Sequence, residues 1–172
     1  FILNYSIMWI VQWLMMSYPD TIVPALLTPA MTSGSQDWFI VTQSTILHAG
    51  YEWWKAFDQI IGTAADCWHS NNSAGNWLQV QLPEAKIITN ITLRTRDDIP
   101  MYIRWWSSYV LAGSNDWTNW TTIDTFYDST AGQSNTEFSH DVSSDTAYLY
   151  YRMTFTQNGS YCAVSECTLL WY

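Results

Sequence analysis

Positive charge is scarce in this chain. Six Lys and Arg stand against fifteen Asp and Glu, for a formal net charge of −9. Neutralising phosphates takes clustered cations, so the balance argues against a nucleic-acid partner and disfavours an anionic membrane surface. Cysteine is sparse as well: Cys67, Cys162 and Cys167 are an odd number, and none has the Cys/His spacing of a zinc site. One disulfide with a free thiol, an intermolecular bridge and three separate buried thiols all stay open. Catalytic signatures are missing too. There is no Gly-x-Ser-x-Gly elbow and no His-Glu-x-x-His pair, and adjacent Asp97 and Asp98 are badly placed to flank one glycosidic bond from opposite faces. The expectation is a non-enzyme.

Nor is there an apolar run of the roughly 20 residues a membrane span needs. Phe1 to Tyr18 carries no charge, but Asn4, Ser6 and Gln12 interrupt it, and no basic stretch marks it as a signal peptide. The favoured reading packs residues 1–19 on this protein or on a neighbouring subunit; a truncated membrane or signal segment is the alternative. Pro19, Pro24 and Pro29 then recur every five residues before Thr32-Ser33-Gly34-Ser35. Proline fixes φ and removes a donor, so residues 1–30 divide into an apolar segment and an extended connector, with a globular domain over 31–172.

What the chain has in abundance is aromatic surface. Twelve Trp and eleven Tyr, with many Thr and Ser, suit pleated strands. Trp77 to Leu82 alternates Leu78, Val80 and Leu82 with Gln79 and Gln81, the period of a half-buried strand. Further strand candidates are Phe39 to Gln43, Lys86 to Arg96, Tyr109 to Ala112, Thr121 to Phe126, Thr136 to Phe138, Tyr148 to Thr156 and Ala163 to Tyr172. Gly113-Ser114-Asn115-Asp116 and Asp128 to Gly132 supply turn chemistry between them. No sustained 3.6-residue pattern follows residue 30, so the predicted class is all-β, an antiparallel sandwich. Asn-x-Ser/Thr triplets at Asn4, Asn71, Asn90, Asn119 and Asn158 are glycan acceptors only in a secreted eukaryotic chain.

Several of these motifs fall in a specific order. Trp53-Trp54-Lys55-Ala56-Phe57-Asp58, Trp68-His69-Ser70, the Trp77 strand, Tyr109 to Asp116, Asn119 to Ile123, Tyr148 to Arg152 and Ser165 to Leu169 resemble the discoidin family over roughly residues 31–172. That family is also called the coagulation factor V/VIII type C or family-32 carbohydrate-binding module. The resemblance implies a galactose-binding-like jelly-roll sandwich that binds rather than catalyses. It further implies structural calcium on the loop from Lys55 to Asp66, held by backbone carbonyls with Asp58 and Glu166, and less surely by Thr63. Two departures stand out: Gln59 and Trp117 occupy positions where the family usually has Gly. A turn cap is the plainer role for Asp58.

Sugar contact calls for exposed rings against the apolar C–H face of a pyranose, with planar polar groups selecting hydroxyls. The candidates are His48, Tyr51 and Trp53 on one loop, Arg96, Tyr102, Arg104 and Trp105 on a Pro-containing insertion, and Tyr161 on the last loop. Equally open is an insertion whose Arg96 and Arg104 pair with Asp97 and Asp98 while its Trp residues face a neighbour. His69 is read as a structural side chain near the loop base or, as the lesser alternative, as one that faces a sugar hydroxyl. The expected function is an extracellular lectin-like domain for neutral or galactose-type glycans, on a cell or virion surface. The alternative is a structural subunit of a fibre, virion or surface layer, self-associating through residues 1–19.

Overall fold

The computed structural model describes residues 24–61, 65–71, 73–98, 106–128, 133–157 and 161–172. Among these residues twelve strands run in chain order. They are β1 Ala25–Leu26, β2 Ser35–Gln36, β3 Phe39–Gln43, β4 Trp68–His69, β5 Trp77–Lys86 and β6 Ile88–Arg94. Then come β7 Trp106–Ser114, β8 Thr121–Tyr127, β9 Glu137–Asp141, β10 Tyr148–Gln157, β11 Ala163–Val164 and β12 Glu166–Trp171. A single 3-10 turn, Trp53–Phe57, interrupts them. Every pairing is antiparallel: one sheet has the order β2-β3-β5-β10-β7-β8, the second β1-β12-β6-β9, and β11 pairs with β4.

Alternation decides the faces. In β10, Tyr151, Met153 and Phe155 are buried while Tyr150, Arg152 and Thr154 face outward; in β5, Leu78, Val80 and Leu82 point inward. These inner residues meet Ile88, Ile91, Leu93 and Leu169 of the other sheet in one core. Packing of two sheets face to face is what the period-2 pattern requires.

The sandwich reaches back beyond the first residue expected of it. Ala25 and Leu26 pair with Trp171 and Leu170, and Leu27 and Met31 enter the core. The prolines that mark an extended connector are compatible with such an edge strand, because the outer edge needs no donor. Residues 1–19 lie outside the described residues. The three cysteines are separate thiols, all buried, and burial pushes Cys67 up to about 12. No helix among the described residues is long and apolar enough to cross a membrane.

One glycine is a packing requirement. A Cβ on Gly113 would lie 2.2 Å from the Tyr148 ring, which rests flat on the β7 backbone. Gly113→Ala is therefore expected to lower stability by about 1–3 kcal/mol, measured by urea unfolding, because a buried ring on a central strand has nowhere to go. A change under a few tenths of that range would mean the ring relocates freely.

Candidate binding tip and carboxylate loop

At the end of the sandwich where β10 finishes, four separate segments bring rings together. The loop after β3 supplies His48 and Tyr51, β4 supplies His69, and the entry to β11 supplies Tyr161. His48 and Tyr51 lie 4.7 Å apart edge to face, Tyr51 and His69 5.2 Å, and His69 and Tyr161 5.3 Å. The Arg96 guanidinium, just past β6, sits 5.4 Å from the Tyr51 ring. His48 is exposed and His69 fully buried, so the group has a floor and a rim. His69 Nδ1 lies 2.8 Å from the Ser70 carbonyl. Because a carbonyl only accepts, that contact places a proton on Nδ1.

Buried hydrogen bonds hold these loops in register. Asn76 accepts from Ser44 Oγ at 3.0 Å and from Thr45 Oγ1, donates to the Ser73 carbonyl, and its own carbonyl takes the Phe155 N–H. Trp68 Nε1 donates to Thr45 O at 2.9 Å, and Leu47 N to His69 O at 2.8 Å. Lys55 Nζ reaches Gly50 O at 2.7 Å and Ala65 O at 3.3 Å, closing the flanking loop. The floor is thus preorganised by side chains far apart in sequence.

Arg96 is 2% exposed, and its fork grips Asp98: Nε to Oδ1 at 2.9 Å and Nη2 to Oδ2 at 3.0 Å. Its Nη1 is buried without a hydrogen-bond partner. A buried unmet donor is costly, and a ligand oxygen would satisfy it. The pairing also leaves the locus without net charge, which suits hydroxyls better than ions. So the ion pair with Asp98 and a place beside the rings are both true of Arg96.

The structure brings together His48, Tyr51, Arg96 and Tyr161 of the predicted ring. Trp53 stands apart from them: its indole packs against the core and its Nε1 edge abuts Gly34. Tyr102, Arg104 and Trp105 lie outside the described residues. His69, read first as structural with a sugar-facing role as the alternative, is the ring that links Tyr51 to Tyr161. The signal available was its place directly after a Trp in a motif; nothing local revealed which rings would cover it.

The loop after the 3-10 turn and the first residue of β12 carry the acids. Burial, then the charge of Asp58, pushes Glu166 up to about 9, and burial with neighbouring Asp66 raises Asp58 to about 6. Asp58 Oδ1 accepts from Ile60 N at 2.9 Å, the turn cap its sequence suggested. Glu166 Oε2 is buried with no hydrogen-bond partner. Carboxylates crowded against one another with an orphaned oxygen are the surroundings a hard cation would relieve. Among the described residues no three His, Cys, Asp or Glu converge as ligands, so a cation here would need backbone carbonyls beside Asp58 and Glu166. Thr63 lies outside the described residues. Gln59 has φ 61° and Trp117 φ 66°, so both positions with a side chain in place of glycine keep the left-handed backbone glycine favours.

A family model described as a NedA-like, galactose-binding domain of the F5/F8 type C group matches residues 55–152. The chain belongs to this family. Among solved structures, the domain resembles the family-32 module of Clostridium perfringens NanJ in complex with galactose, with TM-score 0.64 and 16% identity over 77% of this chain and 93% of that one. The chitosan-binding module 1 of a Paenibacillus sp. IK-5 chitosanase/glucanase gives TM-score 0.57 and 26% identity over 75% and 92%. A striped-bass serum fucolectin gives 0.61 and 14%, over 77% of this chain and 45% of the lectin. No curated protein matches the chain. The discoidin-like resemblance and the galactose-binding-like β-sandwich are thus both established.

Proposed function

We propose that this domain is a non-catalytic, extracellular carbohydrate-binding module that takes a neutral, galactose-type sugar at the tip. One observation carries the reading: the buried, unmet Nη1 of Arg96 beside the Tyr51 ring, within a wall that continues through His69 to Tyr161. Rings cover the C–H face of a pyranose, while the Arg96 donor selects hydroxyls. Solved relatives support it, since one is bound to galactose and another to GalNAc-β-1,3-galactose. A structural calcium at Asp58 and Glu166 would brace the adjoining loop, and adhesion to glycans would be the outcome.

The test is titration by NMR or calorimetry with galactose, GalNAc-β-1,3-galactose and Lewis b. Tyr161→Ala and Arg96→Lys are each expected to weaken the best ligand at least tenfold, about 1.4 kcal/mol, with the melting temperature of each variant recorded alongside. Unchanged affinity in both folded variants would sink the reading.

A second reading has its own observation. Trp38 is 85% exposed at the β2–β3 turn with φ 70°, where a bulky side chain is strained. Exposed indole of this kind suits subunit contact in a fibre, virion or surface layer, with residues 1–19 adding apolar area. Light scattering on the full chain, Trp38→Ser and a form lacking residues 1–19 decides it: an identical monomer mass in all three ends it.

A further inference from the structure

Ion pairing singles out one side chain away from the tip. Lys55, Lys86, Arg94 and Arg96 each lie within ion-pair distance of a carboxylate, respectively Glu52, Glu84, Glu137 and Asp98. Arg152 is the one described Lys or Arg without such a partner, in a chain with fifteen acidic residues. It projects from β10 onto the outer face of the six-stranded sheet, between Gln79 of β5 and Ala112 of β7.

Its surroundings orient the cation without neutralising it. The guanidinium carbon lies 4.6 Å from the Trp77 ring and 4.0 Å from the Trp120 ring. Nε and Nη2 donate to Gln79 Oε1 at 2.9 and 2.7 Å, which leaves the Nη1 edge unused. Gln79 is itself fully buried, and its Nε2 has no partner. Two aromatic faces and a neutral amide thus clamp a half-buried positive charge whose remaining donors match a planar two-oxygen acceptor.

The flank is rigid. Trp120 Nε1 donates to Trp117 O at 3.1 Å, and Trp117, 43% exposed, stands edge to face on Tyr150 at 5.3 Å. Asp116 accepts the amides of Thr118 and Asn119 at 2.9 and 2.7 Å, fixing the turn that carries both indoles. Trp117 holds a left-handed backbone that few residues of its bulk adopt, and such strain gathers where a side chain must be displayed.

We infer that this sheet face is a second ligand site, independent of the tip, for a carboxylate-bearing sugar of a glycan, its carboxylate on the free Arg152 edge and its ring against Trp120 or Trp77. Charge separates the two sites. The tip pairs its arginine internally and suits neutral hydroxyls, whereas the sheet face keeps an uncompensated cation.

Digalacturonic acid, N-acetylneuraminic acid and, as neutral counterpart, lactose are titrated into the full chain while indole N–H resonances are followed. The acidic sugars are expected to shift the Trp77 and Trp120 signals, to bind more weakly as salt rises, and to lose at least tenfold in affinity in Arg152→Gln and Trp120→Ala. Whichever acid shifts them names the source. Gln79→Glu is the sharpest variant, because it gives Arg152 the internal carboxylate it lacks at constant shape. It should abolish acidic-sugar binding, leave lactose binding unaltered and keep the melting temperature, so loss of fold is not at issue. Tyr161→Ala should do the reverse, impairing lactose alone. Acidic-sugar binding that survives Gln79→Glu, shifts confined to the tip, or no binding of either acid would each overturn the assignment.

Discussion

Trp68→Ala is expected to lower the stability of the domain by about 3–5 kcal/mol, a large part of what a domain of this size possesses. The side chain is fully buried, lies 5.8 Å from the Phe155 ring, and joins the short β4–β11 pairing through Val164. Its truncation leaves a void between the ends of β4 and β10 that the crowded rings cannot close. Denaturant unfolding should show a lower midpoint at an unchanged slope. Trp68→Phe separates packing from hydrogen bonding: most volume stays, but Thr45 O loses its donor. That variant should cost about 0.5–1.5 kcal/mol and loosen the loop bearing His48 and Tyr51, so sugar affinity falls more than stability does. Equal stability of Trp68→Ala and the parent would contradict the packing described here.

The second large effect is on the carboxylates. Glu166, with an ordinary value of 4.5, is held at about 9 in the folded chain. The folded state therefore keeps a proton that the unfolded state releases, and stability falls as pH rises between those two values. Asp58, raised from 3.8 to about 6, adds to the same slope over its own narrower interval. In chelator the melting temperature should decline steadily from about pH 5 to about pH 8. Calcium at about a hundred times its dissociation constant would add about 2.7 kcal/mol at the alkaline end and flatten that slope, with protons released on binding. Glu166→Gln should raise metal-free stability at the alkaline end by about 1–3 kcal/mol and remove the response to calcium. A parent whose melting at about pH 8 ignores calcium would dismiss the metal while leaving the chelator slope to stand.

How much of this was legible beforehand depends on whether the signal was local. Trp77 to Leu82 declared its strand by strict alternation, and Phe39 to Gln43 matches β3 in full. The short pairings of Ala25–Leu26 and Trp68–His69 carry too few residues to show a period; they exist because distant partners at Trp171 and Val164 accept them. At the tip, Tyr51, His48 and Tyr161 were readable as rings on loops, and Arg96 as a donor. That Arg96 would be buried, and that His69 would sit under two tyrosines, depends on four segments meeting in space. Trp53 shows the opposite failing: one of two adjacent indoles looks free in sequence, yet Gly34, nineteen positions upstream, provides a flat seat for it. Arg152 gave no local hint, because the absence of a carboxylate partner is a property of the assembled sheet.

The strand order β1-β12-β6-β9 seats β12 between two strands that precede it by far in sequence. That sheet consequently cannot close until β12 has been made, and until then β6 waits unpaired on one side. Such long-range closure belongs to slow folders, on the scale of milliseconds to seconds. Removing Glu166–Trp171 would therefore take out an inner slat rather than a fringe.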